Sequence, residues 1–207
     1  MAQKEDIPHK TVYRLSIYHR CLQRLKENGV ETVSSEAMAR AAGVKSTQLR
    51  KDLAYFGNFG TRGLGYNVDS LSGMIGETLG TTRLQPVILV GVGNLGSALL
   101  RYGGFNKEGF EIVGAFDAEP AAVRQAPVRI PILSEAAMPE FIREHSVKLA
   151  ILCVPASVAQ QVVNTLVASG IQAILNFAPV FLDVPPEVKV NCVDVAVELE
   201  NLSYFIR

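Results

Sequence analysis

The amino-acid sequence predicts an α/β protein in two parts, in which a small helical module with a glycine-rich hairpin precedes a doubly wound parallel sheet. Three observations predict this order. Basic residues are concentrated in the first third of the chain, two short capped helices are expected there, and further on a glycine motif joins an apolar strand to a helix. We expect domains over residues 1–78 and 79–190, followed by a C-terminal helix over residues 191–207.

The composition is typical of a folded cytoplasmic protein. Of the 207 residues 48% are apolar and 19% are charged, which is too apolar for a disordered chain. The polar N-terminus lacks the apolar segment of a secretory signal, and no apolar run has the length of about 18 residues that a membrane span needs. The cysteines Cys21, Cys153 and Cys192 stand far apart and form no cluster with histidine, so we expect neither a disulfide nor a metal site.

The formal net charge of zero hides a division between the two parts. Residues 1–66 contain 11 Lys/Arg and 6 Asp/Glu, a balance of +5, whereas residues 67–207 contain 9 and 14, a balance of −5. This asymmetry favours a basic module that binds a polyanion, joined to a body with another task. Chance surface composition is the alternative.

The first third has the pattern of a helix-turn-helix. The run from Pro8 to Asn28 has helical spacing. Its predicted inner face consists of Val12, Leu15, Tyr18, Leu22 and Leu25. Ser34 is placed to cap a second helix that Gly43 ends, and Ser46 to cap a third. The predicted inner face of that third helix consists of Leu49, Leu53 and Phe56. Two short helices joined by a glycine-containing turn are typical of this motif.

The third predicted helix carries side chains that suit DNA. Arginine pairs with guanine and glutamine with adenine in a major groove, and small polar or basic side chains bind phosphates. Residues 57–66 include four glycines, which favour a hairpin wing close to a duplex, with Arg62 in a minor groove. The predicted DNA-binding residues are Lys45, Ser46, Thr47, Gln48, Arg50, Lys51, Tyr55 and Arg62. A helical domain with a solvated basic face and a glycine-rich linker is the alternative.

A glycine motif follows a short apolar run at residues 86–90. Its sequence is Gly91-Val-Gly-Asn-Leu-Gly96, and a helix is expected directly after it. Glycines there permit a tight turn and close approach to a pyrophosphate, whose charge the helix N-terminus stabilises. The next strand ends at Asp117, where a carboxylate accepts hydrogen bonds from an adenosine ribose and repels a 2′-phosphate. The pattern therefore favours NADH and NAD⁺ over NADP(H), although Asp117 would alternatively cap the turn before Pro120.

Later apolar runs complete the prediction of a Rossmann-type sheet. They lie at residues 149–154 and 173–177, on either side of a helical stretch at 157–169. Ligands bind beyond the carboxyl ends of such strands, so the loops that follow are candidates for the nicotinamide side. The predicted cofactor-binding residues are Gly91, Val92, Gly93, Asn94, Leu95, Gly96, Asp117, Val154, Pro155, Asn176, Phe177, Ala178 and Pro179. Both later loops contain proline and would equally be simple turns.

Several strings of the sequence resemble the Rex family of redox-sensing transcriptional repressors. They are residues 48–57, residues 60–66, the glycine motif and residues 174–179. The resemblance runs from about residue 8 to the end of the chain. It implies a winged-helix homodimer that binds inverted-repeat operators in double-stranded DNA when NADH is scarce and releases them when NADH binds.

The resemblance also implies roles for the tail and for three polar residues. In this family the last helix is exchanged between subunits, and the apolar spacing of Val195, Leu199, Leu202 and Ile206 fits that use. A terminal helix packed on its own sheet would have the same pattern. The resemblance places Arg20, Tyr102 and Asp194 in a switch network that exchanges partners when NADH binds.

The main rival function is that of a small NAD-dependent dehydrogenase. Such an enzyme needs a proton donor or acceptor beside the nicotinamide. His9 and His19 lie in the predicted DNA-binding part, His145 is expected at a helix end away from the carboxyl edge of the sheet, and a Tyr-x-x-x-Lys pair is missing. We therefore expect no enzyme. A regulator that senses NADPH (given Arg124 near Asp117) or an S-adenosyl compound, or one that acts through Cys21, remains an alternative.

Overall fold

The computed structural model describes residues 7–57, 59–61, 63–122 and 130–206. The chain folds as two units, Met1–Arg83 and Leu84–Arg207. The division falls after Arg83 rather than after residue 78, because a helix continues to Leu79 and a turn follows before the sheet begins at Gln85. Among the described residues, no helix has both the length and the apolar character that crossing a membrane requires.

The first unit combines helices with a small antiparallel sheet. Its elements are α1 (His9–Glu27), β1 (Thr32–Val33), α2 (Ser35–Ala41), α3 (Ser46–Ala54), β2 (Gly60–Thr61), β3 (Gly65–Asn67) and α4 (Val68–Leu79). Strands β1 and β2 both pair antiparallel with β3. Helices α2 and α3 form the predicted helix-turn-helix, and β2 with β3 forms the predicted hairpin.

Helix α1 differs from the predicted inner face at its start. Leu15, Tyr18 and Leu22 are fully buried as predicted, but Val12 is 40% exposed. Thr11 is buried in its place, because its hydroxyl donates a hydrogen bond to Asp52 on α3 at 3.3 Å. The buried position at the start of α1 is therefore Thr11 rather than Val12, one residue earlier than predicted.

The helix caps confirm one prediction and correct another. The Ser34 hydroxyl accepts a hydrogen bond from the Ala37 amide at 3.1 Å, so it caps α2 as expected. Ser46 does not cap α3: Lys45 occupies the cap position, and the Ser46 hydroxyl instead accepts a hydrogen bond from Arg50 at 3.5 Å. Helix α4, which the sequence analysis missed, contains two glycines that lower its intrinsic propensity and is capped by Asn67.

Gly65 brings the hairpin against β1. Its φ of +85° lies in the left-handed region, and a Cβ atom there would clash with the Val33 carbonyl. Only glycine fits this position without strain. The hairpin register pairs Gly60 with Tyr66 and Thr61 with Gly65, and the Tyr66 ring is buried in the core of the first unit.

The second unit is a six-stranded parallel sheet with helices. Its elements are β4 (Gln85–Val90), α5 (Asn94–Arg101), β5 (Phe110–Asp117), β6 (Ile132–Ser134), α6 (Met138–Glu144), β7 (Leu149–Leu152), α7 (Ala156–Ala168), β8 (Ala173–Asn176), β9 (Lys189–Cys192) and α8 (Val195–Ser203). The strand order is β6-β5-β4-β7-β8-β9. The order reverses direction at β4 and β7, which is the switch point where ligands bind in doubly wound sheets.

The central strands are buried on both faces. On β4, Ile88 and Val90 belong to one apolar cluster, while Val87 and Leu89 belong to another on the opposite face. This two-sided burial explains why the run is apolar without alternation. The edge strands β6 and β9 are short and partly exposed, and the sequence analysis missed them. Helix α6 ends next to His145, which the sequence analysis expected at a helix end.

Candidate nucleotide and DNA sites

The three glycines of the motif have three different surroundings. At Gly91, where φ is +93°, a Cβ atom would lie 2.5 Å from the Cys153 carbonyl oxygen. At Gly96 it would clash with the Gly91 carbonyl, so this glycine lets α5 pack closely on β4. At Gly93 it would have no heavy atom of the described residues within 4 Å. Gly93 therefore leaves open space on the outer side of the loop, where a ligand can approach the backbone.

The loop runs directly into helix α5. Gly93 is the cap residue, and its carbonyl accepts a hydrogen bond from the Ser97 amide at 2.9 Å. Gly93, Asn94 and Leu95 are exposed, whereas Gly91, Val92 and Gly96 are buried. The first amides of a helix have no partner within the helix and carry partial positive charge. The exposed half of the motif thus suits an anionic group such as a pyrophosphate.

Asp117 lies at the end of β5, beside the glycine loop. Its Oδ2 accepts a hydrogen bond from the Val92 amide at 2.7 Å, and its Oδ1 accepts one from the Glu119 amide at 2.9 Å. Asp117 therefore stabilises the turn before Pro120, as the alternative interpretation expected, and it adjoins the glycine loop. Ribose binding by this carboxylate stays a prediction. Each carboxylate oxygen can accept a further hydrogen bond, so a ribose hydroxyl can still bind here.

The loops after β7 and β8 lie along the same carboxyl edge. Strand β7 is the direct neighbour of β4, and the Val154 side chain would lie 3.0 Å from a Cβ atom at Gly91. Pro155 is exposed and precedes α7. After β8, Phe177 is partly buried, Ala178 is buried and Pro179 is exposed. The structure therefore brings the predicted glycine, Val154 and Pro155 residues together at one edge.

Asn176 is fully buried and shapes the loop after β8. Its side-chain nitrogen donates to the carbonyl oxygens of Ala178 and Val180, each at 3.1 Å. Its Oδ1 accepts a hydrogen bond from the Ala178 amide at 2.8 Å. The amide is used within the loop, so Asn176 positions residues 177–180 rather than presenting its own side chain at the surface.

A cavity adjoins this loop. Its volume is about 330 Å³, and it lies between the loop after β8 and the start of α8, with Pro179, Phe181 and Val197 among the lining residues. Phe181 is 97% exposed.

Most of the predicted DNA-binding residues on α3 face solvent. Lys45, Thr47, Arg50 and Lys51 are exposed, while Ser46, Gln48 and Tyr55 are partly buried. The Arg50 guanidinium donates to the Ser35 hydroxyl at 3.0 Å and to Glu36 at 3.4 Å. An exposed pair of this kind contributes little stability, so Arg50 can exchange Glu36 for a phosphate. Arg62 lies outside the described residues.

A buried carboxylate joins α1 to α3, and the sequence analysis missed it. Asp52 accepts hydrogen bonds from Arg14 at 2.6 and 2.7 Å, from Tyr18 at 2.8 Å and from Gln48 at 2.9 Å. Burial raises the pKa of Asp52, but the donors Arg14, Tyr18 and Gln48 outweigh it and hold that pKa below its ordinary value. The available signal was the helical spacing of Thr11, Arg14 and Tyr18, opposite an acid among the apolar positions of α3.

The predicted switch residues are distributed between the two units. Arg20 lies on α1 in the first unit. Tyr102 ends α5, is 59% exposed and packs edge-on against Phe105, with ring centroids 5.0 Å apart. Asp194 caps α8 by accepting hydrogen bonds from the amides of Ala196 and Val197 at 2.9 and 3.3 Å. The exchange of partners among the three stays a prediction.

The apolar stripe of the tail is uncovered in the single chain. Val195, Leu199, Leu202 and Ile206 are each 62% exposed or more. The alternative in which this stripe packs on its own sheet is therefore not the arrangement observed. Exchange of the helix between subunits stays a prediction.

Comparisons with known proteins identify the family. Residues 6–54 match a family model described as "Putative DNA-binding protein N-terminus", and residues 82–180 match one described as "CoA binding domain". The redox-sensing transcriptional repressor Rex of Pelotomaculum thermopropionicum is 48% identical over 198 residues, which cover 96% of this chain and 93% of that protein. Rex of Streptomyces coelicolor is 46% identical over 202 residues, which cover 98% and 78%.

The chain belongs to the Rex family of redox-sensing transcriptional repressors. Two solved structures of the Rex-family repressor RSP support this. RSP in complex with β-NAD⁺ and operator DNA has a TM-score of 0.87 and 35% identity, covering 97% of this chain and 92% of that one. RSP in complex with β-NADH has a TM-score of 0.84 and 33% identity, covering 97% and 94%. The Rex fold, with a DNA-binding domain before a Rossmann-type sheet, is thus confirmed.

Proposed function

We propose that this chain acts as a homodimeric repressor that binds operator DNA and is released from it by NADH. One observation carries the proposal: the chain combines an exposed polar and basic face on α3 with an open glycine loop beside the Asp117 carboxylate. The relative RSP has been solved with NAD⁺ and operator DNA and, separately, with NADH. Both kinds of ligand proposed here, DNA and a dinucleotide, are therefore bound by that relative.

The nucleotide is expected to lie along the carboxyl edge of the sheet. The pyrophosphate would meet the backbone at Gly93 and the start of α5, and Asp117 would bind the adenosine ribose. The nicotinamide would then lie near residues 154–155 and 177–179. These loops offer chiefly apolar side chains, and an apolar surface penalises the positively charged ring of NAD⁺ more than the neutral ring of NADH.

DNA is expected to contact α3 and the hairpin. The residues proposed to contact the major groove are Lys45, Ser46, Thr47, Gln48, Arg50, Lys51 and Tyr55. Arg62 is proposed to contact a minor groove. Dimerisation through α8 would cover its exposed apolar stripe and supply the second reading helix that an inverted repeat requires.

Release requires that NADH bind one arrangement of the dimer more tightly than the other. Moving a two-state equilibrium from 99:1 to 1:99 takes about 5.5 kcal/mol of differential binding. Rotation of the two DNA-binding modules would spoil the spacing of their groove contacts. We propose that Arg20, Tyr102 and Asp194 exchange partners during this movement.

We expect no enzymatic role, because His145, the one histidine of the second unit, lies away from the proposed nucleotide site. His145 ends α6, and its ring stacks on Phe141 with centroids 3.9 Å apart. It precedes β7, so it lies toward the amino edge of that strand, opposite the proposed cofactor edge. The named relatives are repressors, which also supports a regulator.

The test is fluorescence anisotropy of labelled DNA from the region upstream of the gene, with NADH and NAD⁺ titrated separately. We expect specific DNA binding that NADH abolishes at a lower concentration than NAD⁺. NADPH and coenzyme A are the controls, because both carry an extra phosphate on the adenosine ribose that Asp117 would repel. Binding that is indifferent to NADH and NAD⁺ contradicts the sensor, and failure to bind any promoter DNA contradicts the repressor.

A further inference from the structure

Asp52 is a fully buried carboxylate in the DNA-binding unit. It lies on α3, the helix proposed to enter the major groove. Two of its partners, Arg14 and Tyr18, lie on α1 and are 38 and 34 residues away in sequence. These contacts hold α3 against α1, and this structural role explains the bonds from Arg14 and Tyr18.

The contact with Gln48 is different, because Gln48 lies on α3 itself. Its Nε2 donates to Asp52 Oδ1 at 2.9 Å, from one turn earlier in the same helix. The neighbours of Gln48 on either side, Thr47 and Leu49, are exposed and buried respectively, so Gln48 lies at the border between the core and the outer face.

An ionised carboxylate fixes which end of a glutamine amide faces it. The carboxylate only accepts hydrogen bonds, so a flipped amide would place two acceptor oxygens against each other. The Arg14 guanidinium, which contacts both carboxylate oxygens at 2.6 and 2.7 Å, keeps Asp52 ionised. A single orientation of the Gln48 amide is compatible with this arrangement. Within the part of the chain that the structure describes, its Oε1 and its second N–H have no other hydrogen-bond partner and are available to a ligand.

We propose that Asp52 is a positioning residue for DNA recognition, whose carboxylate orients the Gln48 amide so that it presents one fixed donor–acceptor pattern to a base edge. The inference rests on the proposed DNA-binding function. An outward carbonyl oxygen and N–H match the N6 donor and N7 acceptor of adenine in the major groove. Fixing the amide in advance reduces the ordering that recognition otherwise requires, and it raises discrimination at one base pair rather than affinity for all DNA.

The experiment compares base-pair discrimination among full-length variants. A consensus operator is first selected from random duplexes with the wild-type protein. Affinities are then measured for duplexes in which each base pair is changed symmetrically in both half-sites. Gln48→Ala identifies the position that Gln48 reads, where we expect a loss of discrimination of about tenfold or more.

Asp52→Asn should lose about three- to tenfold of the discrimination at that same position, because an asparagine amide no longer enforces one orientation of Gln48. The double variant should lose no more there than Gln48→Ala alone. Tyr18→Phe is the matched control. It removes a donor from Oδ2 of the same carboxylate, leaves the contact at Oδ1, and should lower thermal stability while it preserves discrimination.

Two results overturn the inference while leaving the repressor function intact. One is discrimination in Asp52→Asn equal to that of wild type; the other is a uniform loss of affinity over all positions, which indicates a structural role alone. A selection that yields no consensus overturns the proposed DNA-binding function itself, and this inference with it.

The wild-type protein provides a second test that does not depend on an Asp52 variant folding. In the free protein, one side-chain amide proton of Gln48 should exchange with water measurably more slowly than those of Gln161, which is exposed on α7. Nuclear magnetic resonance of the side-chain amides measures this directly. Exchange as fast at Gln48 as at Gln161 would overturn the inference.

Discussion

Gly93 and Gly96 form a matched pair that separates ligand binding from folding. Both belong to the same motif, and each is changed to alanine by the addition of one methyl group. At Gly93 the backbone is extended, with φ −72° and ψ −157°, and the new Cβ atom meets no heavy atom of the described residues within 4 Å. At Gly96 the new atom would clash with the Gly91 carbonyl. We therefore expect Gly93→Ala to fold normally and Gly96→Ala to be destabilised.

The magnitudes follow from what each methyl group displaces. In Gly93→Ala it would occupy the space through which the pyrophosphate is proposed to approach the backbone. Loss of one hydrogen bond to a charged group costs about 1.5–3 kcal/mol, so NADH should bind roughly 10- to 100-fold more weakly. In Gly96→Ala the overpacking costs about 1–3 kcal/mol or more. For a unit of this size that corresponds to a fall in thermal midpoint of roughly 3–15 °C.

Calorimetry measures both quantities on the same samples. Thermal scans without nucleotide give the midpoint of each variant, and isothermal titration gives its NADH affinity. Gly93→Ala should also bind operator DNA like wild type, yet require more NADH for release. If Gly93→Ala bound NADH as tightly as wild type, the pyrophosphate would not pass this residue, and the interpretation of the loop would be wrong. An unchanged midpoint for Gly96→Ala would refute its packing role.

Four further changes test other parts of the structure. Asp117→Asn should weaken NADH binding about tenfold or more in isothermal titration, because a ribose hydroxyl loses its charged acceptor. It should also reduce the ratio of NADH affinity to NADPH affinity, because a neutral side chain no longer repels a 2′-phosphate. Leu199→Asp should raise the dimer dissociation constant about 100-fold or more in analytical ultracentrifugation, since each subunit would lose an apolar contact worth about 1.5–3 kcal/mol; an unchanged constant would show that α8 lies outside the interface. Burial raises the pKa of the Cys153 thiol to about 11, so iodoacetamide at pH 8 should alkylate it about tenfold or more slowly than the exposed Cys192, as followed by peptide mass spectrometry; equal rates would contradict this burial. Burial raises the pKa of Asp52 in the folded state, but its hydrogen bonds outweigh burial and lower that pKa below the unfolded value of about 3.9. The ionised Asp52 therefore stabilises the fold above the unfolded pKa, and this stabilisation is lost as the pH falls through the folded pKa. The thermal midpoint of the wild-type protein should fall below about pH 4, and it should fall less in Asp52→Asn.

The features that the sequence alone predicted correctly are those encoded over a few neighbouring residues. The glycine motif needs only a strand before it and a helix after it, and the run from 86 to 90 is apolar throughout because it is buried on both faces. The Ser34 cap and the hairpin glycines are likewise local. The family resemblance rests on such strings, which is why fold and function followed from it.

The features that only the tertiary structure decided depend on residues far apart in the chain. Asp52 is buried because Arg14, 38 residues earlier, neutralises its charge. The helical periodicity of α3 predicts an apolar side chain on this buried face. Asn176 shapes its own loop instead of facing outward, and β9 exists because β8 supplies the partner for its hydrogen bonds. Helix α8 has the same periodicity whether it packs on its own sheet or on another surface, and the structure leaves its apolar stripe exposed. Periodicity indicates which face of an element is apolar, but the free energy of burial depends on what that face meets, and sequence neighbours do not determine the contact.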